Sequence, residues 1–355
     1  MAYTTINKPS DYFNTKLYTG DGTSSNAITG VGFQPDLVWT KGRSGSYGIS
    51  NNKLVDVVRG AGQTLHSNLT DSELDQSAPT GGSTISFDAD GFTLGSNTNS
   101  NASGTTFVAW NWLANNTSGS SNTDGSITST VSVNTTAGFS IVKFTSGASA
   151  GFSVGHGLGT TPSVIIQKTR NSTGGWLFCH KDMSASGITS GYLQLQTTDG
   201  FTSNANVFTN VNNSTVTQGS VISNNFEQIM YCFAEVKGFS KFGSYVGNGS
   251  ADGTFVYTGF KPAFVMTKRT DSAGYFWHIY DNKRSSSGGS NVINDVLYPN
   301  RSDAEYSEDR IDFVSNGIKF KSANGDINAS GGTYIYMAFA ENPLVAGNYV
   351  PTTAR

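Results

Sequence analysis

A short pattern occurs near both ends of the chain and once more, in a looser form, between them. The first copy is GFQPDLVWTK, from Gly32 to Lys41, and the last is GFKPAFVMTK, from Gly259 to Lys268, with six of ten positions identical. The middle copy is GLGTTPSVIIQK, residues 157–168. In each copy a lysine stands six residues after a proline. Such recurrence indicates three copies of one structural unit.

The spacing of other anchors agrees with three repeats. An aromatic residue precedes the proline by 17, 18 and 17 residues, at Tyr18, Phe144 and Tyr245. Each copy closes on an alternating aromatic segment, for which we take Trp110, Phe233 and Phe339 as the equivalent central residues. We therefore predict domains at residues 1–114 (repeat 1), 127–236 (repeat 2) and 237–343 (repeat 3), with a flexible linker at 115–126 and a C-terminal tail at 344–355.

The local patterns predict an all-β protein. A strand that follows a proline and is apolar on both faces, as in LVW, VII and FVM, is expected to be covered on both sides. Elsewhere apolar and polar residues alternate, with Asp90-Gly91 and Asn316-Gly317 as hairpin turns. Only residues 69–75 and 303–309 suggest a helical turn. We expect three tandem antiparallel β-sandwiches of the jelly-roll or lectin-like type.

Composition and charge exclude several classes of function. The chain has 42 Gly, 12% aromatic residues and a formal net charge of −3. No basic run is present to neutralise phosphates, so we expect no nucleic-acid partner. No apolar segment approaches the ~18 residues that cross a bilayer, and the first residues, MAYTTINKPSDYF, lack the features of a secretion signal. We expect no membrane association.

Longer motifs carry a family resemblance. They are DYFNTKLYTGDG and ITGVGFQPDLVWTKGRS in repeat 1, VRGAG at 58–62, DADGFTLGS at 88–96 and NASGTTFVAWNW, with WHIYD at 277–281, SDAEYSED and NASGGTYIYMAF in repeat 3. These motifs resemble a domain that is repeated in structural proteins of marine tailed phages, especially those of cyanobacterial and pelagic hosts. Repeat 2 departs from the pattern, because it lacks VRGAG and NASG.

The resemblance implies a non-enzymatic virion protein, assembled in the host cytoplasm and carried on the particle in several copies or as a homo-oligomer. Two roles are open. The chain is either a structural element bound to capsid or tail proteins, or an adhesin of the tail-fibre type that binds host surface polysaccharide. Neither heptads nor collagen-like triplets indicate a fibre shaft.

Motifs for catalysis or cofactor binding are not apparent, so we predict no enzyme activity, no cofactor and no metal site. The four histidines, His66, His156, His180 and His278, have no metal-ligand spacing, and we interpret each as a surface or partly packed imidazole. A glycosidase would need paired carboxylates, for which the candidates are Asp71 with Glu73 and the group Asp303, Glu305, Glu308 and Asp309. We interpret these as solvated loop charges.

Three aromatic residues are candidates for stacking on sugar rings: Trp176, Tyr275 and Trp277. Core packing is the competing interpretation, because their segments alternate like strands. The Lys and Arg that follow each proline-led strand either form a ligand site repeated three times or pair with a carboxylate of their own domain, which is the more usual role. Cys179 and Cys232 are interpreted as two buried thiols, with a bridge between them as the alternative.

Overall fold

The computed structural model describes residues 4–44, 50–285 and 291–345. In this part of the chain, every sheet is antiparallel and none is closed. Helical structure is confined to single turns at Pro9–Asp11, Thr98–Asn101 and Gly187–Thr189. None of the described helices has the length and apolar character needed to cross a membrane. The predicted all-β class is confirmed.

Repeat 1 forms a large and a small sheet. Its strands are β1 (Phe13–Thr19), β2 (Asn26–Thr29), β3 (Leu37–Gly42), β4 (Lys53–Asp56), β5 (Gln63–His66), β6 (Leu74–Asp75), β7 (Thr84–Asp88), β8 (Gly91–Leu94) and β9 (Thr106–Trp112). The large sheet has the order β1-β9-β3-β4-β5-β6 and the small sheet has the order β2-β8-β7.

Repeat 2 follows the same plan, preceded by two additional strands. The strands are β10 (Ser120–Asn122), β11 (Ser129–Asn134), β12 (Phe139–Thr145), β13 (Ser153–Gly155), β14 (Val164–Thr169), β15 (Leu177–His180), β16 (Gly191–Gln194), β17 (Thr202–Ser203), β18 (Phe208–Val211), β19 (Thr215–Gln218) and β20 (Glu227–Phe233). The large sheet has the order β10-β11-β12-β20-β14-β15-β16-β17, and the small sheet has the order β13-β19-β18.

Repeat 3 has two sheets of similar size. The strands are β21 (Ser240–Val246), β22 (Phe255–Tyr257), β23 (Phe260–Arg269), β24 (His278–Asp281), β25 (Val292–Val296), β26 (Tyr306–Val314), β27 (Gly317–Phe320) and β28 (Thr333–Pro343). Their orders are β21-β28-β23-β24 and β22-β27-β26-β25. The series β1-β9-β3-β4, β12-β20-β14-β15 and β21-β28-β23-β24 therefore place the proline-led strand at the same position in each repeat.

The proline-led strands are buried as predicted. All six residues of β3 and five of the six in β14 are buried, because each strand has a neighbour on both edges and packing on both faces. In repeat 3 the strand begins before the proline, at Phe260, and its register shifts at Pro262. A proline lacks the N–H that a regular ladder needs, so it is accommodated at this irregularity.

The pairing register corrects one sequence equivalence. Leu37 pairs with Trp112, whereas Val164 pairs with Phe233 and Phe264 pairs with Phe339. Trp112, not Trp110, is thus the counterpart of Phe233 and Phe339. Both tryptophans belong to one alternating segment, so spacing could not distinguish them.

These three equivalent aromatic residues meet at the centre of the molecule. The ring centroids of Trp112, Phe233 and Phe339 lie 5.8–6.3 Å apart in all three pairings. The largest hydrophobic cluster includes buried residues from all three repeats. Smaller clusters lie between the two sheets of repeat 1, around Phe92, and of repeat 3, around Phe320. Repeats 1 and 3 therefore each have a small core of their own, in addition to the cluster shared by all three repeats.

The predicted hairpin turns are confirmed, whereas the predicted helical turns are not. Two-residue connections join β7 to β8 and β26 to β27, which confirms the hairpins at Asp90-Gly91 and Asn316-Gly317. The helical turns suggested at 69–75 and 303–309 are wrong, because both segments run into strands, β6 and β26. The polar stretch 115–126 contains β10, which pairs with β11. Residues 346–355 of the tail lie outside the described residues.

Candidate functional site

The lysine that ends each proline-led strand lies at a junction between two repeats. The Nζ atom of Lys41 donates to the carbonyl of Ser302 over 2.9 Å. Lys168 and Lys268 donate to the carbonyls of Thr70 and Thr198, both over 3.3 Å. Repeat 1 is thereby joined to repeat 3, repeat 2 to repeat 1, and repeat 3 to repeat 2, so that the three junctions form a ring.

Burial at these junctions changes the acidity of the lysines. It lowers the pKa of Lys41 to about 7 and the pKa of Lys168 and Lys268 to about 8. All three side chains are almost fully inaccessible to solvent. A lysine that is buried and hydrogen-bonded to backbone carbonyls cannot reach an external ligand without moving. The three equivalent lysines therefore join repeats, and neither of the two predicted roles describes them.

The arginine that follows each lysine has a carboxylate partner. Arg43 makes a bidentate contact with Glu305, with a shortest distance of 2.7 Å. Arg170 makes the equivalent contact with Glu73, with a shortest distance of 2.6 Å. Both partners belong to another repeat, so the predicted pairing within one domain is wrong for Arg43. Arg170 also pairs with Glu227 of its own repeat at 3.1 Å, which confirms the prediction for this arginine. It is also confirmed for Arg269, which pairs with Asp271 at 2.7 Å.

The junction between repeats 1 and 2 contains a buried ionic network. Asp56 accepts from Arg59 Nε at 2.5 Å and from the hydroxyl of Tyr231 at 2.8 Å. Arg59 also donates to Glu73, which in turn accepts from Arg170. Burial raises the pKa of Glu73, but its hydrogen bonds from Arg170 and the charge of Arg59 outweigh burial and hold that pKa below its usual value. The network keeps two arginines neutralised where water is excluded.

The junction between repeats 3 and 1 repeats this network. Asp281 accepts from Arg284 Nε at 2.5 Å, and its second donor is the indole Nε1 of Trp110 at 2.8 Å. Arg284 also donates to Glu305 at 2.8 Å. Glu305 is then shared with Arg43 of repeat 1. An aspartate, two arginines and a glutamate therefore stand in the same relation at both junctions.

The junction between repeats 2 and 3 has different side chains at these positions. Val164 pairs with His180, just as Leu37 pairs with Asp56 and Phe264 with Asp281. Met183 follows His180 at the spacing of the arginines, and its sulfur accepts from the backbone N–H of His180 at 3.4 Å. The His180 Nε2 atom lies 3.3 Å from the carbonyl oxygen of Tyr336. A neutral contact thus replaces the ionic network.

The aromatic residues considered for sugar stacking lie at the junctions. Trp176 and Trp277 are at most 1% exposed. Their indole N–H groups donate to the carbonyls of His66 and Gln194 in the preceding repeat. Tyr275 is partly exposed, and the guanidinium of Arg269 lies 4.2 Å from its ring centroid. The two tryptophans pack in the interior and present no face on which a sugar ring could stack.

The carboxylates considered for catalysis are distributed among separate contacts. Glu73 and Glu305 are shielded bridging groups, so their interpretation as solvated charges is wrong. Asp303 pairs with Arg301, Glu308 with Arg310 and Asp309 with Lys321. Asp71 is exposed.

The remaining titratable candidates are also packed. All four histidines are buried, contrary to the expected surface or partly packed positions. In the described part of the chain, no group of three or more His, Cys, Asp or Glu side chains is arranged to hold a metal ion. Cys179 and Cys232 are buried free thiols, as predicted, and burial raises the pKa of both.

One protein family matches nearly the whole chain, including the three junctions. A family model described as Domain of unknown function (DUF7483) matches residues 8–343. The chain belongs to this family. No curated protein and no solved structure gives a significant match. The DUF7483 match runs through all three repeats and covers the residues of all three junctions in this chain.

Sequence reasoning missed the partners of the DUF7483 junctions. Arg43 and Glu305 are 262 positions apart in the chain. Asp56 and Asp281 do share the pattern of an aspartate followed three residues later by an arginine, DVVR and DNKR. This pattern was the available signal for an equivalent buried ion pair, and its absence from repeat 2, where HKDM stands, signals the different junction.

Proposed function

We propose that the chain is a non-enzymatic structural component of a tailed-phage particle, displayed on its outer surface. In this proposal the repeats are three antiparallel sandwiches closed into one block. The observation that carries it is the use of the charged groups: the lysines and arginines that recur after the proline-led strands are occupied in joining repeats. These recurring groups therefore serve assembly of the block.

The mechanism that remains for such a block is recognition by shape. The family match over residues 8–343 supports treating the repeats as one unit. The resemblance of the sequence motifs to repeated domains of phage structural proteins supports the location. The two cysteines are free thiols, so the block depends on no disulfide and can assemble in the host cytoplasm.

The attachment surface is assigned to the outer edge of repeat 3. Strand β22 ends its sheet, and its alternate residues Phe255 and Tyr257 are 47% and 56% exposed. On the edge of the neighbouring sheet, Val246 is 57% exposed. An edge strand with exposed aromatic side chains offers both unpaired backbone groups and apolar area to a partner. The proposed partner is a capsid or tail protein, present in fixed stoichiometry with this chain.

Mass spectrometry of purified particles tests the location. The chain should be present at a constant copy number per particle, and labelled antibody should decorate intact particles in electron micrographs. Particles without the chain, or antibody that binds only after disruption, would refute display on the surface.

A charge at the edge strand tests the attachment surface. Particles produced with Tyr257→Asp should lose the chain while the isolated variant remains folded. The matched control is Tyr306→Asp, since Tyr306 is 52% exposed but belongs to β26, an interior strand of the same sheet. Equal incorporation of both variants would remove β22 from the proposal without affecting the location.

A further inference from the structure

Repeat 2 has glutamines where the other repeats have residues of the sandwich interior. Gln228 pairs with Phe144, in the register in which Phe107 pairs with Tyr18 and Tyr334 pairs with Tyr245. Gln228 therefore occupies the position of an aromatic ring.

A second and a third glutamine follow from the same comparison. Val216 is the counterpart of Phe92 and Ile318, so Gln218 occupies the position of Leu94 and Phe320. Gln167 precedes the junction lysine, at the position of Thr40 and Thr267. All three glutamines are at most 1% exposed.

The substitutions replace ring stacking with amide hydrogen bonds. In repeats 1 and 3 the paired rings Tyr18–Phe107 and Tyr245–Tyr334 stack with centroids 5.2 and 4.8 Å apart. In repeat 2 the amides of Gln167, Gln218 and Gln228 bond to one another over 3.2–3.4 Å. Gln228 Nε2 also donates to Thr169 at 3.0 Å.

The loop above these glutamines differs as well. In repeat 1, Asn101 stands six residues before Phe107, and its side chain holds the loop by donating to Asp21, Thr23 and Gly95. Asn328 donates equivalent bonds in repeat 3. Ile222 stands at this position in repeat 2 and offers no such donor.

The loop of repeat 2 borders a pocket of about 220 Å³. Its lining consists of Gln167, Thr169, Ser172, Thr173, Gly174, Gly175, Leu177, Val221, Ile222, Phe226 and Gln228. No charged side chain is among them. The pocket is therefore lined by neutral polar groups and by apolar side chains.

We propose that this pocket binds one neutral sugar residue, either free or at the end of a glycan. The hydroxyls of Thr169, Ser172 and Thr173, which are not fully buried, complement sugar hydroxyls as donors and acceptors. The buried amide of Gln228 acts indirectly, by holding the Thr169 hydroxyl through its hydrogen bond. Phe226, Leu177 and Val221 provide apolar surface for the C–H face of the ring. A pocket of about 220 Å³ has room for one six-membered ring.

The charge of the pocket limits the ligand further. An ionised sugar would lose water without gaining an opposite charge, so uronic acids and sugar phosphates are disfavoured. The inference goes beyond the structural role proposed above and is independent of it. If the chain is on the particle surface, the pocket supplies the recognition element that an adhesin would need.

Ligand-observed NMR with the full chain tests the proposal. The probes are D-glucose, D-galactose, D-mannose and N-acetyl-D-glucosamine, with D-glucuronate and glucose 6-phosphate as charged counterparts. At least one neutral sugar should bind with a dissociation constant in the millimolar range, at least tenfold more tightly than its charged counterpart. Absence of binding by every neutral probe, or preference for a charged one, would overturn the proposal.

Two variants locate the binding. Gly174→Leu should reduce affinity at least tenfold by filling the pocket; its Cβ would meet Thr169 at an ordinary 3.9 Å. Gln228→Phe, which installs the side chain of repeat 1, should abolish binding and leave the melting temperature unchanged or higher. The control Asn213→Leu adds the same side chain at an exposed site of repeat 2 and should bind normally. Unchanged affinity in folded Gly174→Leu and Gln228→Phe would show that the sugar binds elsewhere.

Discussion

Two of the three junctions bury an aspartate–arginine pair, and the third has His180 and Met183 at the same positions. The difference extends to the strand that faces each pair. Asp56 and Asp281 accept from Tyr231 and Trp110, whereas the residue in the register of these two donors in repeat 3 is Met337. A thioether has no hydrogen to donate, so a carboxylate opposite it would lack this partner. The two sides of each junction therefore match in polarity.

The neutral junction at His180 and Met183 shows that this topology does not require a buried charge. A buried ion pair gains little over a well-packed apolar contact, because desolvation offsets its attraction. It does become costly when one partner is removed. The two ionic junctions should consequently be more sensitive to single substitutions than the neutral junction, although equivalent strands form all three junctions.

The largest effect is expected from removing the aspartates. Asp56→Ala or Asp281→Ala leaves an arginine without its closest partner in a position closed to solvent. Each should lower the free energy of unfolding by about 3–5 kcal/mol. Urea denaturation followed by tryptophan fluorescence measures the loss. The control is Asp271→Ala, whose partner Arg269 lies nearer the surface and whose loss should cost about 0–1 kcal/mol.

Equal losses in the aspartate variants and Asp271→Ala would show that the buried pairs behave like surface pairs. The ionic junctions would then be no more sensitive to the loss of one side chain than ordinary surface ion pairs are.

Acid should act on the neutral junction through His180. Burial lowers the pKa of His180 to about 4, whereas an unfolded histidine titrates near about 6.5. The unfolded chain therefore takes up the proton first, and stability is lost as pH falls from about 6.5 to about 4, by roughly 3 kcal/mol in full. His180→Gln retains polar atoms but has no proton to gain, so it should lose less stability between pH 7 and 4.5 than the parent chain.

Other titrating groups are common to both proteins and cancel in this difference. The measurement is the free energy of unfolding of each protein at both pH values. Parallel decreases in the two proteins would mean that His180 is not held neutral by its surroundings.

Removing a bridging glutamate should have an intermediate effect. In Glu73→Gln and Glu305→Gln the side-chain shape is retained, but two arginines lose a charged acceptor. Hydrogen bonds to charged groups contribute about 1.5–3 kcal/mol, so each variant should be destabilised by about that amount. Salt should reduce the effect only slightly, since both glutamates are shielded. A loss that disappears in 1 M salt would place these pairs effectively in solvent.

The elements that sequence could predict are those determined by neighbouring residues. Alternation and turn residues were sufficient for the hairpin at Asn316-Gly317, and apolarity on both faces was sufficient for the burial of β3 and β14. The junction partners could not be predicted, because their pairing depends on how the repeats meet. The glutamine pocket was missed for a related reason: Gln218 and Gln228 are unremarkable until the register places them opposite aromatic positions of the other repeats.

The smallest difference in stability is expected for the buried lysine, which is present both at an ionic junction and at the neutral junction. Lys168 and Lys268 each donate to a threonine carbonyl of the preceding repeat at 3.3 Å and to a second carbonyl at 2.8 or 2.9 Å. Burial lowers the pKa of both to about 8. In Lys→Met variants the lost hydrogen bonds are offset by the removal of a buried charge.

Lys168→Met and Lys268→Met should therefore change the free energy of unfolding by amounts that agree within about 0.5 kcal/mol, since the two lysines make the same kinds of hydrogen bond and are buried to the same degree. Urea denaturation of both variants at pH 7 measures this. A disagreement larger than about 1 kcal/mol would show that the ionic network beside Lys168 alters the cost of burying its charge. The lysine contacts would then belong to the difference between the junctions, and the common element would be reduced to the ring contacts among Trp112, Phe233 and Phe339.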